Sequence, residues 1–198
     1  MSVRDRKRAR TRHALVAAAS DLFERHGYER TTIADIAAAA EIGTRTFFSY
    51  FATKEELLFP ETDPRLRAAI EAIESRRPGD RPAEILLRAW ERADDEGDLV
   101  EGLAELRNRL IREVPSVRGR ALQVYCEAQM EIARRLAEAF PDDLDELNAA
   151  ALTGAFAGAV GGALYVLLRD PQTPADQESI RRAVEAALAP WLAHTPAP

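Results

Sequence analysis

An all-α fold, with about nine helices in two parts, is predicted by three features of the chain. Apolar residues return at intervals of three and four along most of its length, Gly and Pro gather between those stretches, and no run alternates with the period of two that a half-buried strand needs. With 46% hydrophobic and 30% charged residues over 198 positions, the composition is that of a globular chain long enough to bury a core.

Taken in order, RTRHALVAAASDLFERHG places Leu15, Ala18, Ala19, Leu22 and Phe23 on one stripe, and Gly27 supplies the left-handed residue that ends many helices. Helix one is therefore expected from near Arg4 to His26. Thr32 then stands as an N-cap with Asp35 three residues on, opening a second helix only eight or nine residues long, with Ile33, Ile36, Ala37 and Ala40 as its apolar side. A turn follows at Glu41, Ile42 and Gly43. From Thr44 a third short helix turns Phe47 and Phe51 inward and leaves Thr44, Arg45, Thr46, Ser49 and Tyr50 on its other side. Thr53 is expected to cap a fourth helix, KEELLF, with Glu55 and Glu56 in its first turn. After Pro60 and Pro64 the helical period resumes in PRLRAAIEAI, and RRPGDRP, residues 76–82, is a flexible link. Further helices are expected at about 83–95, 99–113, 116–140, 142–169 and 176–193, separated by EGD, Pro115, Pro141 and DPQTP.

Charge is divided unevenly. The chain carries a net charge of -6, yet its first twelve residues hold Arg4, Arg6, Lys7, Arg8, Arg10 and Arg12 against Asp5 alone. A basic entry to an acidic body suits an end that meets a polyanion; the alternative is a solvated, frayed terminus. The lone Cys126 forms no intrachain disulfide and reads as an inert core thiol, and His13, His26 and His194 lack metal-ligand spacing with it. Neither a metal nor a cofactor is implied, and a reducing cytoplasm fits. No nucleophile–base pair or carboxylate pair marks an enzyme. Residues 149–168 carry no charge and set Gly154, Gly158 and Gly162 four apart, the length of a membrane span, but Ala and Gly gain little from lipid. The stretch reads instead as a soluble helix.

Two short helices joined by a tight turn and preceded by a long one form a helix-turn-helix unit. A helix that enters the major groove needs small or hydrogen-bonding side chains at its first turn and bulky residues clamping its back. Thr44, Arg45 and Thr46 fit the first requirement. Phe47 and Phe51, against Leu22, Phe23, Ile33 and Ile36, fit the second. Arg45 is suited to a bidentate contact with guanine, and Tyr50 and Lys54 to flanking phosphates. Lysine at 54 is a choice in a chain with only two lysines among its 27 basic residues.

TTIADIAAAAEIGTRTFFSYFATKEELL, with RTRHALVAAASDLFERHGYE before it, resembles the DNA-binding signature of the tetracycline-repressor (TetR) family over roughly residues 8 to 60. More weakly, RLIREVPSVRGRALQVYCEAQMEIARRLAEAF is similar to an actinobacterial subgroup with an acyl-CoA-like ligand domain. The resemblance implies a DNA-binding domain at 1–52 and an effector-binding and dimerisation domain at 53–198. It implies a repressor that leaves a near-palindromic operator when a small, largely apolar molecule binds. By position, Thr32, Tyr50 and Lys54 look like backbone contacts, and Gly43, Thr44, Arg45 and Thr46 like the groove-facing turn, with Arg8, Phe48 and Ser49 nearby. Glu41 stands where glycine is usual and Phe48 where tyrosine is common. A homodimer is implied through the last two long helices, where Gly154, Gly158, Gly162, Leu164 and Leu168 would meet Val184, Leu188 and Trp191, with an intrachain core and no dimer as the alternative. Trp90, Leu103, Leu106, Leu110, Tyr125, Gln129 and Met130 are candidates to line an effector cavity, with ordinary core packing as the alternative.

Overall fold

The computed structural model describes residues 2–59, 64–93, 102–169 and 177–193. These form nine α-helices: α1 (Val3–His26), α2 (Ile33–Ala39), α3 (Thr44–Phe47), α4 (Pro64–Glu74), α5 (Pro82–Ala93), α6 (Leu103–Glu113), α7 (Pro115–Ala139), α8 (Glu146–Arg169) and α9 (Gln177–Leu192), with a 3-10 turn at Glu55–Leu58. The expected interruption at Pro60, the EGD and DPQTP separators and His194 lie outside the described residues. Helices α4, α5 and α7 each open on proline, whose fixed φ suits a first turn and whose missing N–H would have no helical partner there.

Two compact units divide the chain, one of Met1–Glu61 with Gly97–Val124, the other of Thr62–Glu96 with Tyr125–Pro198. A single boundary after residue 52 is thus replaced by a discontinuous division, because α6 and the start of α7 bury their leucines and valines with the N-terminal helices. The first unit's core joins Leu15, Phe23, Phe47 and Phe51 to Leu103, Leu106 and Leu110. The second unit packs α4 on α5 and α8 on α9, with Ile85, Leu86, Leu136, Leu152, Val184 and Leu188 at its centre.

The stretch expected as a fourth helix is broken. Lys54 stands at the cap position with no side-chain cap bond, Thr53 is not the cap, and only four residues wind as a 3-10 turn. Glu56 closes that turn by accepting the Ala52 N–H at 2.8 Å. No helix among the described residues is long and apolar enough to cross a membrane.

Candidate functional site

The reading edge begins with the way α2 is started and stopped. Thr32 Oγ1 accepts the Asp35 N–H at 3.2 Å, while Asp35 Oδ2 accepts the Thr32 N–H at 2.9 Å and its hydroxyl at 2.6 Å. Two of the free N–H groups of the helix start are satisfied by this reciprocal pair. The same bonds hold the Asp35 carboxyl below its ordinary pKa. Thr32 is thus a cap whose hydroxyl is already engaged.

At the other end of α2, Ile42 N–H donates to Ala37 carbonyl at 2.9 Å and Glu41 N–H to Ala38 carbonyl at 3.0 Å. This is the paired closure that needs a left-handed residue between, and Glu41 takes it at φ 56°, the only non-glycine with positive φ among the described residues. The departure from glycine is accommodated by strain of about 1 kcal/mol.

Helix α3 is a single turn, too short to persist without tertiary support. Its support is aromatic. Phe47 is fully buried and Phe51 nearly so, with ring centroids 5.8 Å apart. Each contributes about 1.5–3 kcal/mol by leaving water. Gly43, Thr44, Arg45, Thr46, Phe48 and Ser49 are exposed and Tyr50 is half-buried, so the threonine–arginine–threonine edge faces solvent. Phe48 is 57% exposed on the same edge. The Ser49 hydroxyl turns back to Thr46 carbonyl at 2.6 Å, whereas the Arg45 guanidinium has no partner among the described residues.

Two basic residues of α1 stack on rings of this element. Arg12 lies 4.2 Å over the Phe51 ring and donates to Tyr50 carbonyl at 3.3 Å; Arg8 lies 5.3 Å over the Tyr50 ring. Arg12 is not among the site residues expected from the sequence, though Arg8 and Arg12 continue the stripe of Leu15, Ala19 and Phe23 at helical steps of three and four. Lys54 is turned inward. Instead of facing outward to a phosphate, its ammonium donates to Tyr28 carbonyl at 2.8 Å and Thr31 carbonyl at 3.0 Å and sits 4.0 Å over the Tyr28 ring. A compact charge with several donors fits two converging carbonyls where a planar guanidinium would not. Partial burial lowers its pKa. Burial, with the Glu55 carboxylate beside it, pushes the Tyr28 hydroxyl up.

The residues proposed for an effector cavity do not come together within either unit. Leu103, Leu106 and Leu110 are core residues of the first, where Arg109 also pairs with Glu24 at 2.7 Å; Trp90 is in the core of the second. Tyr125 and Met130 are exposed, the latter by 73%, and Gln129 is half-buried. Cys126 is likewise exposed, not a core thiol, since it shares the outward side of α7 with Leu122 and Met130.

Among the residues proposed for a dimer, Val184 and Leu188 are fully buried in the chain's own core and cannot also meet a partner. Trp191 is half-buried and lines a cleft of its own unit. Gly158 and Gly162 are exposed and Gly154 partly so, each with open space where a side chain would stand. The side chains of Leu164 and Leu168 lie outside the described residues.

A buried aromatic clamp behind a polar, solvent-facing first turn defines a helix-turn-helix protein of the kind that reads duplex DNA. The chain belongs to the bacterial regulatory proteins of the tetR family, whose sequence profile matches residues 15–59. It is 33% identical to the HTH-type transcriptional regulator TcmR of Streptomyces glaucescens over 150 residues, 73% of this chain but 66% of TcmR, just under two thirds of that relative's length. HbdR of Aromatoleum sp., also an HTH-type transcriptional regulator, is 42% identical over 48 residues, 24% of this chain and 21% of HbdR. Thermus thermophilus FadR, a TetR-family repressor solved with lauroyl-CoA, shares the fold at a TM-score of 0.54 and 23% identity, over 94% of this chain and 98% of FadR.

Proposed function

We propose that this protein is a sequence-specific transcriptional repressor that binds a near-palindromic operator as a homodimer and is released by a small-molecule effector. The observation that carries this reading is the pairing of fully buried Phe47 with exposed Thr44, Arg45 and Thr46 on one turn of helix. Arg45, without a partner among the described residues, would read guanine; Thr44, Thr46 and Phe48 would offer methyl and ring surface to thymine methyls. Arg8, Ser49 and Tyr50 stand beside that edge for phosphate contacts, and the DNA-contacting segment is residues 1–52.

A dimer is supported by small apolar faces left open on the last two helices. Leu147, Ala151, Gly158, Gly162 and Val166 are exposed at steps of four or seven along α8, as are Ala183, Ala187 and Pro190, four and three apart, on α9. Small residues let backbones approach closely, and two-fold pairing of such faces matches a two-fold operator. The effector acts by binding one dimer geometry better than the other, and the protein works in the cytoplasm, where its DNA is. As the relatives are transcriptional regulators, no catalytic step is invoked.

Fluorescence anisotropy with the intergenic DNA beside its own gene tests the reading. Binding should be saturable, specific over scrambled DNA by at least about 10³, and steeply weakened by salt. Equal affinity for both DNAs at every salt concentration would reject it.

A further inference from the structure

The second unit contains an open cleft of about 840 Å³, within the size range of small-molecule sites. Its apolar wall is made by half-buried Trp191 and the exposed edges of Phe140 and Leu144, over fully buried Leu152, and its rim by the link between α4 and α5. That link is held in place. Asp80 accepts the Arg77 N–H at 2.9 Å and pairs with Arg88 at 2.9 Å, while Arg81 grips Glu84 and donates to the Leu192 carbonyl at the end of α9.

The charges around the cleft do not cancel. Arg81 is matched by Glu84 and Arg88 by Asp80. Arg76 lies 5.6 Å over the Phe140 ring, and its one hydrogen bond is a long 3.4 Å contact with its own helix at Ile73 carbonyl. The Arg77 guanidinium has no hydrogen bond or ion pair among the described residues. Against these two, the lining offers the single remaining carboxylate of Asp143. An apolar wall with two guanidiniums outside any ion pair at its edge, Arg77 sensing only the Asp80 already paired with Arg88, suits a molecule with an apolar body and one anionic end, since planar arginine forks match carboxylate and phosphate oxygens. A neutral apolar ligand would cover the wall and leave the arginines unanswered.

We propose that this cleft is a binding site for an amphipathic anion, its chain or ring against Phe140, Leu144 and Trp191 and its carboxylate or phosphate between Arg76 and Arg77. The inference rests on the ligand-released regulator reading and names the chemical class of its effector.

Calorimetric titration of the full-length protein with decanoate, decyl phosphate and decanol tests it, alongside fluorescence of the unmodified protein, in which Trp191 lines the site. Both anions should bind at one site, at least about tenfold tighter than decanol, and shift the tryptophan emission. The stronger of the two identifies the head group. The double substitution Arg76→Gln, Arg77→Gln changes exposed side chains only. It should reduce the anions to the affinity of decanol without moving the melting temperature. Decanol binding as tightly as decanoate, anion affinity unchanged in the double variant, or tryptophan emission indifferent to the anions would each overturn the site. Operator release is measured in parallel. A compound that releases DNA equally from the native protein and the double variant removes this cleft as the effector site while leaving ligand control standing. Arginine-dependent binding that leaves DNA affinity untouched keeps the site and removes the release mechanism.

Discussion

The two units hold their shape by different means. In the first, short elements are fastened by directional bonds to main-chain carbonyls: Lys54 to Tyr28 and Thr31, Arg12 to Tyr50, and Thr31 Oγ1 to Gly27 at 2.9 Å. In the second, long helices bury aliphatic side chains, and apart from the Arg81 bond to the Leu192 carbonyl the links between helices are mostly ion pairs at the surface, such as Arg181 with Glu91 and Arg135 with Glu74. Helices of sixteen to twenty-four residues, like α9 and α8, are held by area. A single turn such as α3 has little area and needs clamps whose geometry is specific. Rigidity at the reading edge is therefore purchased with named bonds, and each can be removed singly.

The largest effect should come from Phe47→Ala, which empties a fully buried site. A loss of about 3–5 kcal/mol in urea unfolding is expected, with operator binding lost at the same time. Phe48→Ala, one residue along and exposed, should stay within about 0.5 kcal/mol. Lys54→Met sharpens the contrast between clamp and contact: it should cost about 1–3 kcal/mol of stability by removing both bonds and leaving the Thr31 carbonyl unanswered, while the Tyr28 carbonyl keeps the Thr31 N–H. The slope of binding affinity against salt should not change, whereas loss of a phosphate contact would lower it by about one. Arg45→Ala should leave the melting temperature in place and reduce discrimination at one base pair by about 1–3 kcal/mol, read by competition between single-base operator variants.

A smaller effect, in the opposite direction, is expected at the turn. Glu41→Gly removes the left-handed strain and should stabilise the first unit by about 1 kcal/mol, visible as a raised urea midpoint. The smallest belongs to the surface pairs of the second unit. Arg88 and the Arg77 N–H hold Asp80 down at about 2, and Arg134 with Arg135 do the same for Glu131. Because these pKa values are depressed on folding, the stability they supply is present above about pH 4 and lost as pH falls toward 2. Melting temperatures followed over that window should decline less steeply in Asp80→Asn.

The helical architecture and the solvent-facing setting of the first turn of α3 were legible in the sequence because both follow from local rules. The Thr32–Asp35 cap, the Gly27 stop and the outward placing of Thr44, Arg45 and Thr46 depend only on neighbours a few residues away. What was not legible required knowing which helix meets which. Leu103, Leu106 and Leu110 announce an apolar stripe, but nothing in that stripe says that it packs with Phe23 instead of lining a cavity. Val184 and Leu188 likewise read as a face for a partner when they belong to their own core. Lys54 shows the same limit for charge: residue type and position fit a phosphate contact, and only the fold reveals two carbonyls and a ring already around the ammonium.

The discontinuous make-up of the first unit bears on how the protein could be cut apart. A fragment ending at residue 52 would lose Leu57, Leu58 and every apolar side chain of α6, uncovering Leu15 and Phe23 to water. Such a piece invites self-association before it finds any target. To isolate the working head, residues up to the 3-10 turn would have to be spliced to Leu103–Val124, so that one polypeptide again carries both halves of the same interior.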